Sequence, residues 1–492
     1  MTDSAPSLGT KIRSGTQWTL AGSLVNEVVH FAVSILLARL LVPEDFGLVA
    51  TVGIVTGLAG HFAGAGTGQA LVRARHAEQR HFDVVFTLQL LIGGLIYLVF
   101  VALAPLFASF FEHPIYQALL LVSGLNFFLR PFANLPSARL QRDMRFRPLV
   151  VINAATLVAG SGVSIGMALM GQGVWSLVIG GLCGALLRAV LLNLHVGQRY
   201  ALAWDRAIIG ELGGYGARVA ANSLIEHFRS QSMIFILSKL NGPADVGLYN
   251  RASSLAVMPM RIVGTAPYHA VFRALAAEQD NLDKSRYLYY RPVTLVAAYT
   301  LPLYILAWWL AEPGIRFIYG EKWLASAEPL AILATTGLFR CVGNPSGAVL
   351  EARNRMSTEI RLNLAAWAML VAAVLYGLQW GLAGIAWASV LTQAFFNSSL
   401  AIVAGRELKG TPMTLAKAIS PALLLSSVLL ATIWSADTFF LSRYTQHSPG
   451  MYSLLITGIG GISYVAAFLY LPLASLRTES AKWRDKLGLA KS

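Results

Sequence analysis

The chain is poor in charge and in cysteine. Of its 492 residues 13% are Asp, Glu, Lys or Arg, and two are cysteine. Ordinary soluble domains carry roughly 25% charge, so a soluble globular protein is excluded. Cys183 and Cys341 both sit in apolar segments, which leaves neither a disulfide framework nor a thiolate metal site. The nine histidines show no metal-ligand spacing. Gly64-Ala-Gly66-Thr-Gly68 resembles a phosphate-cradling loop, but it closes an apolar run and follows no strand, so a nucleotide site is excluded there. A large polar domain is also missing, and with it the catalytic loop that a multi-span glycosyltransferase or polymerase needs. The protein is therefore expected not to be an enzyme.

What is present is apolar length. Hydrophobic residues make up 56% of the chain. Runs of about twenty recur from end to end, each long enough to span a bilayer as a helix. They are continuous rather than alternating, which argues against a β-barrel. The fold class is all-α integral membrane. Fourteen spans are expected, at about 17–41, 46–69, 84–111, 116–136, 148–170, 174–195, 211–240, 245–275, 288–318, 327–350, 360–379, 382–404, 414–436 and 451–473. The polar stretch Met1 to Lys11 precedes the first run and no small-residue cleavage site follows it, so that run reads as a retained helix.

The connections alternate in charge. Pro43-Glu44-Asp45, Glu112-His113-Pro114, Gly171-Gln172-Gly173, Asn241-Gly242-Pro243 and Gln379-Trp380-Gly381 carry no Lys or Arg. The other set holds Arg73, Arg75 and Arg80, then Arg139 to Arg147, then Arg353, Arg355 and Arg361, and the two tails are basic as well. Only Lys322 and Arg443 fall on the opposite side. By the positive-inside rule both termini are cytoplasmic and the number of spans is even. Most of the net charge of +14 is thus a topology signal rather than a nucleic-acid footprint. The last of it, in residues 477–491, is a basic tail facing anionic lipid.

The chain repeats itself. Leu37-Ala-Arg-Leu-Leu-Val-Pro-Glu-Asp-Phe-Gly-Leu48 returns 200 positions later as Leu237-Ser-Lys-Leu-Asn-Gly-Pro-Ala-Asp-Val-Gly-Leu248. Arg130, Asn134 and Leu140 return 210 positions later as Arg340, Asn344 and Leu350. Spans one to six thus match spans seven to twelve. An even number of spans per half gives both halves the same orientation, related by an axis along the membrane normal. The expected organisation is a six-helix bundle over 1–200, a second over 201–410, two further helices over 411–473, and a cytoplasmic tail over 474–492.

Ionisable residues inside the spans are the functional signal, because charge at bilayer depth normally faces a cavity or a substrate path. Span seven places Glu211, Tyr215, Arg218, Asn222, Glu226 and Arg229 on one face. A structural Glu226–Arg229 pair is the alternative reading of its end. Span one, its repeat partner, carries Ser23, Asn26, Glu27, His30 and Ser34. Glu27 is a candidate proton or cation site, as is Glu226, and a hydrogen bond between Glu27 and His30 is the plainer alternative. Span eight aligns Arg251, Ser254, Met258, Arg261, Thr265 and Tyr268, and Arg261 is the counterpart of His61 in span two. Arg340 precedes Asn344-Pro345 in span ten, where proline breaks the helix. Arg130 reads as interfacial. The deep charges sum to a positive cavity, lined by His61, Arg218, Asn222, Arg229, Arg251, Arg261 and Arg340, with Glu27, His30 and Glu226 as ion-coupling candidates. Such a cavity favours a phosphate or pyrophosphate, to which arginine offers paired donors.

Taken with the motifs Leu37-Ala-Arg-Leu-Leu-Val-Pro-Glu-Asp-Phe-Gly47, Gln141-Arg-Asp-Met-Arg-Phe146 and Gly343-Asn-Pro345, this pattern resembles the bacterial polysaccharide transporters, the O-antigen and exopolysaccharide flippases of the multidrug/oligosaccharidyl-lipid/polysaccharide exporter superfamily. The first two motifs look like the colanic-acid-exporter branch. The resemblance implies a flippase in the bacterial inner membrane. It would move undecaprenyl-pyrophosphate-linked oligosaccharide from the cytoplasmic to the periplasmic leaflet by alternating access, for lipopolysaccharide or exopolysaccharide synthesis. It also implies proton or sodium coupling, no organic cofactor, and as partners the lipid-linked oligosaccharide, membrane lipid, and a glycosyltransferase and polymerase of the same pathway. A peptidoglycan-precursor flippase shares the pyrophosphate. A drug antiporter of the same superfamily wants an acidic cavity instead.

Overall fold

The computed structural model describes the backbone of residues 8–64, 68, 71, 78–263, 265–278, 281–441 and 448–489; the side chains of 8–17, 19–21, 24, 64, 211–226, 229 and 265–270 lie outside the description. The described residues form helices and no strands. By its contacts the chain divides into two compact units, Met1–Gly247 and Leu248–Ser492.

The first unit contains α1 (Leu8–Leu40), α2 (Pro43–Gly64), α3 (Gln79–Phe110), α4 (Ile115–Gly124), α5 (Asn126–Arg142), α6 (Phe146–Leu169), α7 (Val174–Val196) and α8 (Arg206–Leu240), and ends within the first turn and a half of α9 (Pro243–Val263). The second unit continues α9 and adds α10 (Thr265–Ala277), α11 (Leu282–Trp309), α12 (Ala311–Ile318), α13 (Ala327–Ala334), α14 (Gly337–Ala352), α15 (Met356–Gly377), α16 (Gly381–Glu407), α17 (Pro412–Ala436), α18 (Pro449–Tyr470) and α19 (Arg477–Lys486). Where the chain is described, the expected spans follow these helices; 65–67 and 69 of span 46–69, and 264 of span 245–275, lie outside the described residues. Among the described residues, nine helical segments are long and apolar enough to cross a membrane.

Local chemistry sets several boundaries. Thr411 caps α17, its hydroxyl accepting the Thr414 N–H, and Pro412 opens the helix where a missing donor costs nothing. Asp205 caps α8, accepting the Ala207 and Ile208 N–H groups at 3.0 and 3.4 Å. Those two bonds, with Arg80 at 3.5 Å, hold its carboxyl below the usual carboxylate range. Long faces of these helices have no protein against them. On α3, Leu91, Leu95, Leu98 and Leu106 follow helical spacing and are 56%, 62%, 66% and 64% exposed. A leucine stripe of that length needs a hydrocarbon solvent, and the protein is a multi-pass membrane protein.

The internal repeat reaches the backbone. Span four breaks between α4 and α5 at Leu125, and span ten breaks at Thr335, 210 positions on. Both α5 and α14 end the same way. The Arg145 N–H bonds the Leu140 carbonyl at 2.8 Å, and the Arg355 N–H bonds the Leu350 carbonyl at 2.7 Å. Met144 and Asn354, at the corresponding place, both adopt left-handed φ, 54° and 56°. This is one helix-ending motif used twice.

The first repeated motif meets its own copy within the first unit. A Cβ on Gly47 would collide with the Pro243 carbonyl, and a Cβ on Gly247 would collide with the Pro43 carbonyl. The contact is reciprocal, as a two-fold relation between the copies requires, and backbone meets backbone because neither position has a side chain. Each unit also has its own apolar interior. In the first, Phe100, Tyr116, Leu119, Leu120 and Phe127 pack together. In the second, Tyr289, Val293, Leu350, Leu425, Leu429 and Ile456 do so.

This contact predicts a position-specific effect. Gly47→Val should lower the thermal unfolding midpoint of the detergent-purified protein, with a loss of about 1–3 kcal/mol. Gly53→Ala, on the same helix with nothing within 4 Å of the added carbon, should be neutral or slightly stabilising. Equal behaviour of the two variants would contradict the packing described.

Candidate functional site

Basic groups held inside the helices form the site, and α2 gathers one set of them. Its glycines admit two neighbours at close range. At Gly57 an added Cβ would lie 2.6 Å from the His227 ring, and at Gly60 it would lie 2.7 Å from the Arg130 guanidinium. His227, on α8, is 8% exposed, and its Nε2 lies 2.8 Å from the Ile54 carbonyl oxygen. A carbonyl only accepts, so Nε2 carries a proton and donates. His61, one turn further along α2, meets His227 edge to face with ring centroids 5.2 Å apart. Arg130 on α5 donates to the Gly60 carbonyl at 2.9 Å and lies over the Phe127 ring at 5.0 Å. Its guanidinium is thus turned onto a neighbouring helix. Among the described residues it has no carboxylate partner.

A second group lines a cavity of about 500 Å³ between α1, α6 and α7. His30 and Asn26 come from α1, Asn153 from α6 and Arg188 from α7. Its wall is made by Gly160, Gly180 and Gly184, where α6 and α7 cross so closely that a Cβ on Gly160 would sit 2.9 Å from the Gly180 carbonyl oxygen. Oδ1 of Asn26, Oδ1 of Asn153 and Nε of Arg188 are all buried with no hydrogen-bond partner among the described residues. Glu27, beside Asn26, is half-buried.

In the second unit Arg251 has aromatic partners and Arg340 a hydroxyl partner. Arg251 on α9 lies 5.2 Å from the Tyr319 ring and 5.4 Å from the Trp323 ring, and both rings are buried. Arg340 on α14 donates from Nε to the Thr336 hydroxyl at 3.2 Å. Arg261, near the end of α9, is exposed. The striped face of α8 is helical throughout, but the side chains of Arg218, Asn222, Glu226 and Arg229, and of Glu211 and Tyr215, lie outside the described residues.

Of the expected site residues, the structure thus sets His61 in one basic cluster and His30 in one cavity. It seats Arg251 on aromatic rings and Arg340 on a hydroxyl. Sequence reasoning passed over Arg188, Asn153 and His227. Arg188 lies eight residues inside an apolar run, a signal in itself, but neither repeat offset pairs it with a second charge. His227 follows Glu226 directly and so falls off the striped face.

Helices with lipid-facing stripes define a multi-pass membrane protein, and known folds share the arrangement. The chain is similar to the lipid II flippase MurJ in an inward closed conformation, with a TM-score of 0.74, 15% identity, and coverage of 96% of this chain and 100% of that one. It is also similar to a multidrug resistance transporter of the MATE family, within the multidrug/oligosaccharidyl-lipid/polysaccharide superfamily, in an inward-facing conformation, with a TM-score of 0.59, 16% identity, and coverage of 78% and 94%. At these identities the likeness establishes the fold.

The chain belongs to the polysaccharide biosynthesis protein family, whose sequence model matches residues 36–328. Relatives include the succinoglycan biosynthesis transport protein ExoT of Rhizobium meliloti, 24% identical over 94% of this chain and 93% of its own length. The lipopolysaccharide biosynthesis protein WzxC of Escherichia coli is 22% identical over 75% and 76%. The teichuronic acid biosynthesis protein TuaB of Bacillus subtilis is 23% identical over 81% of each.

The seating of Arg251 predicts a structural cost for its loss. Arg251→Gln should destabilise the purified protein by about 2 kcal/mol, since a desolvated cation–π contact is worth that much. Arg251→Lys should recover part of it. Unchanged thermal unfolding in Arg251→Gln would contradict the stacked geometry.

Proposed function

We propose that the protein is a flippase for undecaprenyl-pyrophosphate-linked oligosaccharide, moving repeat units from the cytoplasmic to the periplasmic leaflet for surface or exopolysaccharide synthesis. The observation that carries this reading is the set of guanidinium and imidazole groups inside apolar helices: Arg130, His61 and His227 around α2, and Arg340 on α14. An anionic diphosphate head complements such groups, and arginine binds it with paired donors. Family membership supports a role in polysaccharide biosynthesis, and the name of ExoT supports transport rather than catalysis. A drug antiporter recruiting organic cations is disfavoured by the same sign of charge.

The reading places the protein in the inner membrane with both termini in the cytoplasm, as the basic connections require. Alternating access moves the head while the lipid tail stays in the bilayer. Coupling to protons or sodium falls to Glu27, His30 and Glu226.

Deletion of the gene should leave lipid-linked oligosaccharide accumulating on the cytoplasmic side, read by analysis of lipid-linked intermediates. Arg340→Ala and Arg261→Ala should each cut surface polysaccharide about tenfold or more, the effect of removing one charged hydrogen-bonding group. The variant proteins should still be present in the membrane at wild-type amounts. Normal surface polysaccharide in the deletion strain would overturn the reading.

A further inference from the structure

The α1–α6–α7 cavity has a chemistry of its own. Arg188 lies eight residues from the Val196 end of α7, and Asn153 lies seven residues from the Phe146 start of α6. At 1.5 Å per residue both sit roughly 10–12 Å in from the same end of an antiparallel helix pair. The guanidinium is therefore below the headgroup layer, where charge needs a protein or ligand partner. No carboxylate supplies one among the described residues, and the buried Nε donates to nothing. A donor of that kind calls for an oxyanion.

The two asparagines ask for something different. Their buried Oδ1 atoms are acceptors lacking a donor. A phosphodiester alone would satisfy Arg188 and leave both unmet, whereas a head with phosphodiester oxygens and hydroxyl groups satisfies all three. Beyond the polar group the lining mixes glycine and apolar side chains, including Gly160, Gly184 and Leu177, with the hydroxyls of Thr156, Ser161 and Ser164. The glycines and Leu177 admit a hydrocarbon chain at close range.

We infer that this cavity is a binding site for a membrane amphiphile with a hydroxylated phosphate head, the phosphate on Arg188, the hydroxyls on Asn26 and Asn153, and the start of the chain along the α6–α7 glycines. A phosphoglycerol lipid has that head chemistry. The inference goes beyond the transport reading and is read by binding alone, so export that persists without binding, or binding without export, separates the two.

The test uses the full-length protein in detergent, with lipid binding followed by native mass spectrometry. Dioctanoyl phosphatidylglycerol should bind more tightly than dioctanoyl phosphatidylmethanol, which keeps the oxyanion but lacks hydroxyls, and far more tightly than dioctanoyl phosphatidylcholine. Arg188→Gln should weaken phosphatidylglycerol about tenfold or more, and Arg188→Lys should retain part of the binding. Asn153→Leu should erase the preference for phosphatidylglycerol over phosphatidylmethanol, and carries the test should Arg188→Gln not be recovered folded. Phosphatidylglycerol and phosphatidylcholine binding alike, or Arg188→Gln and Asn153→Leu both binding as wild type does, would overturn the site. Glycerol phosphate competing as well as the lipid does would overturn its assignment to a membrane amphiphile.

Discussion

A guanidinium inside an apolar helix has to be held by something, and in this protein neutral groups share in holding it. Arg130 rests on a carbonyl and a phenyl ring, Arg251 on Tyr319 and Trp323, and Arg340 on the Thr336 hydroxyl. Dipoles and ring faces orient and partly solvate a cation, whereas a carboxylate would neutralise it. In a low dielectric an uncancelled charge acts over many ångströms. For Arg130, which has no carboxylate partner among the described residues, this leaves an electropositive spot beside α2, which the proposed anionic cargo would complement.

The helix α2 shows how backbone packing serves that end. Three of its glycines face three partners: Gly47 the Pro243 backbone, Gly57 the His227 ring, and Gly60 the Arg130 guanidinium. Each approach is closer than a side chain permits. In a membrane, where apolar burial drives little helix association, such small-residue contacts and interhelical hydrogen bonds do most of the holding. The glycines therefore both join helices and admit basic groups against a helix backbone.

Much of this was legible in the chain itself. Hydropathy located the spans because a helix in lipid has to satisfy its own backbone, which forces long apolar runs. The repeat was legible to single residues: Leu140 and Leu350 both accept the bond that ends their helix. The left-handed Met144 was not legible, since methionine carries no turn signal. Nor was the partner of each arginine. Periodicity sorts residues onto faces but does not say whether a face meets a ring, a carbonyl or water. Arg251 and Arg340 look alike on a helical wheel, and one packs on aromatic rings while the other bonds a hydroxyl. The sequence reading also weighed charges by the repeat, which hid Arg188, whose value comes from the company of Asn26 and Asn153 in a cavity built by three helices.

The central claim of the proposed function is that basic groups inside the helices select an anionic head. Translocation in proteoliposomes of two synthetic glycolipids with the same chain and sugar, one joined through a pyrophosphate and one through an uncharged ether, measures this directly. The account predicts that the pyrophosphate lipid crosses and the neutral lipid lags by about tenfold or more, as expected when a charged hydrogen-bonding contact is lost. Equal rates for the two would contradict it.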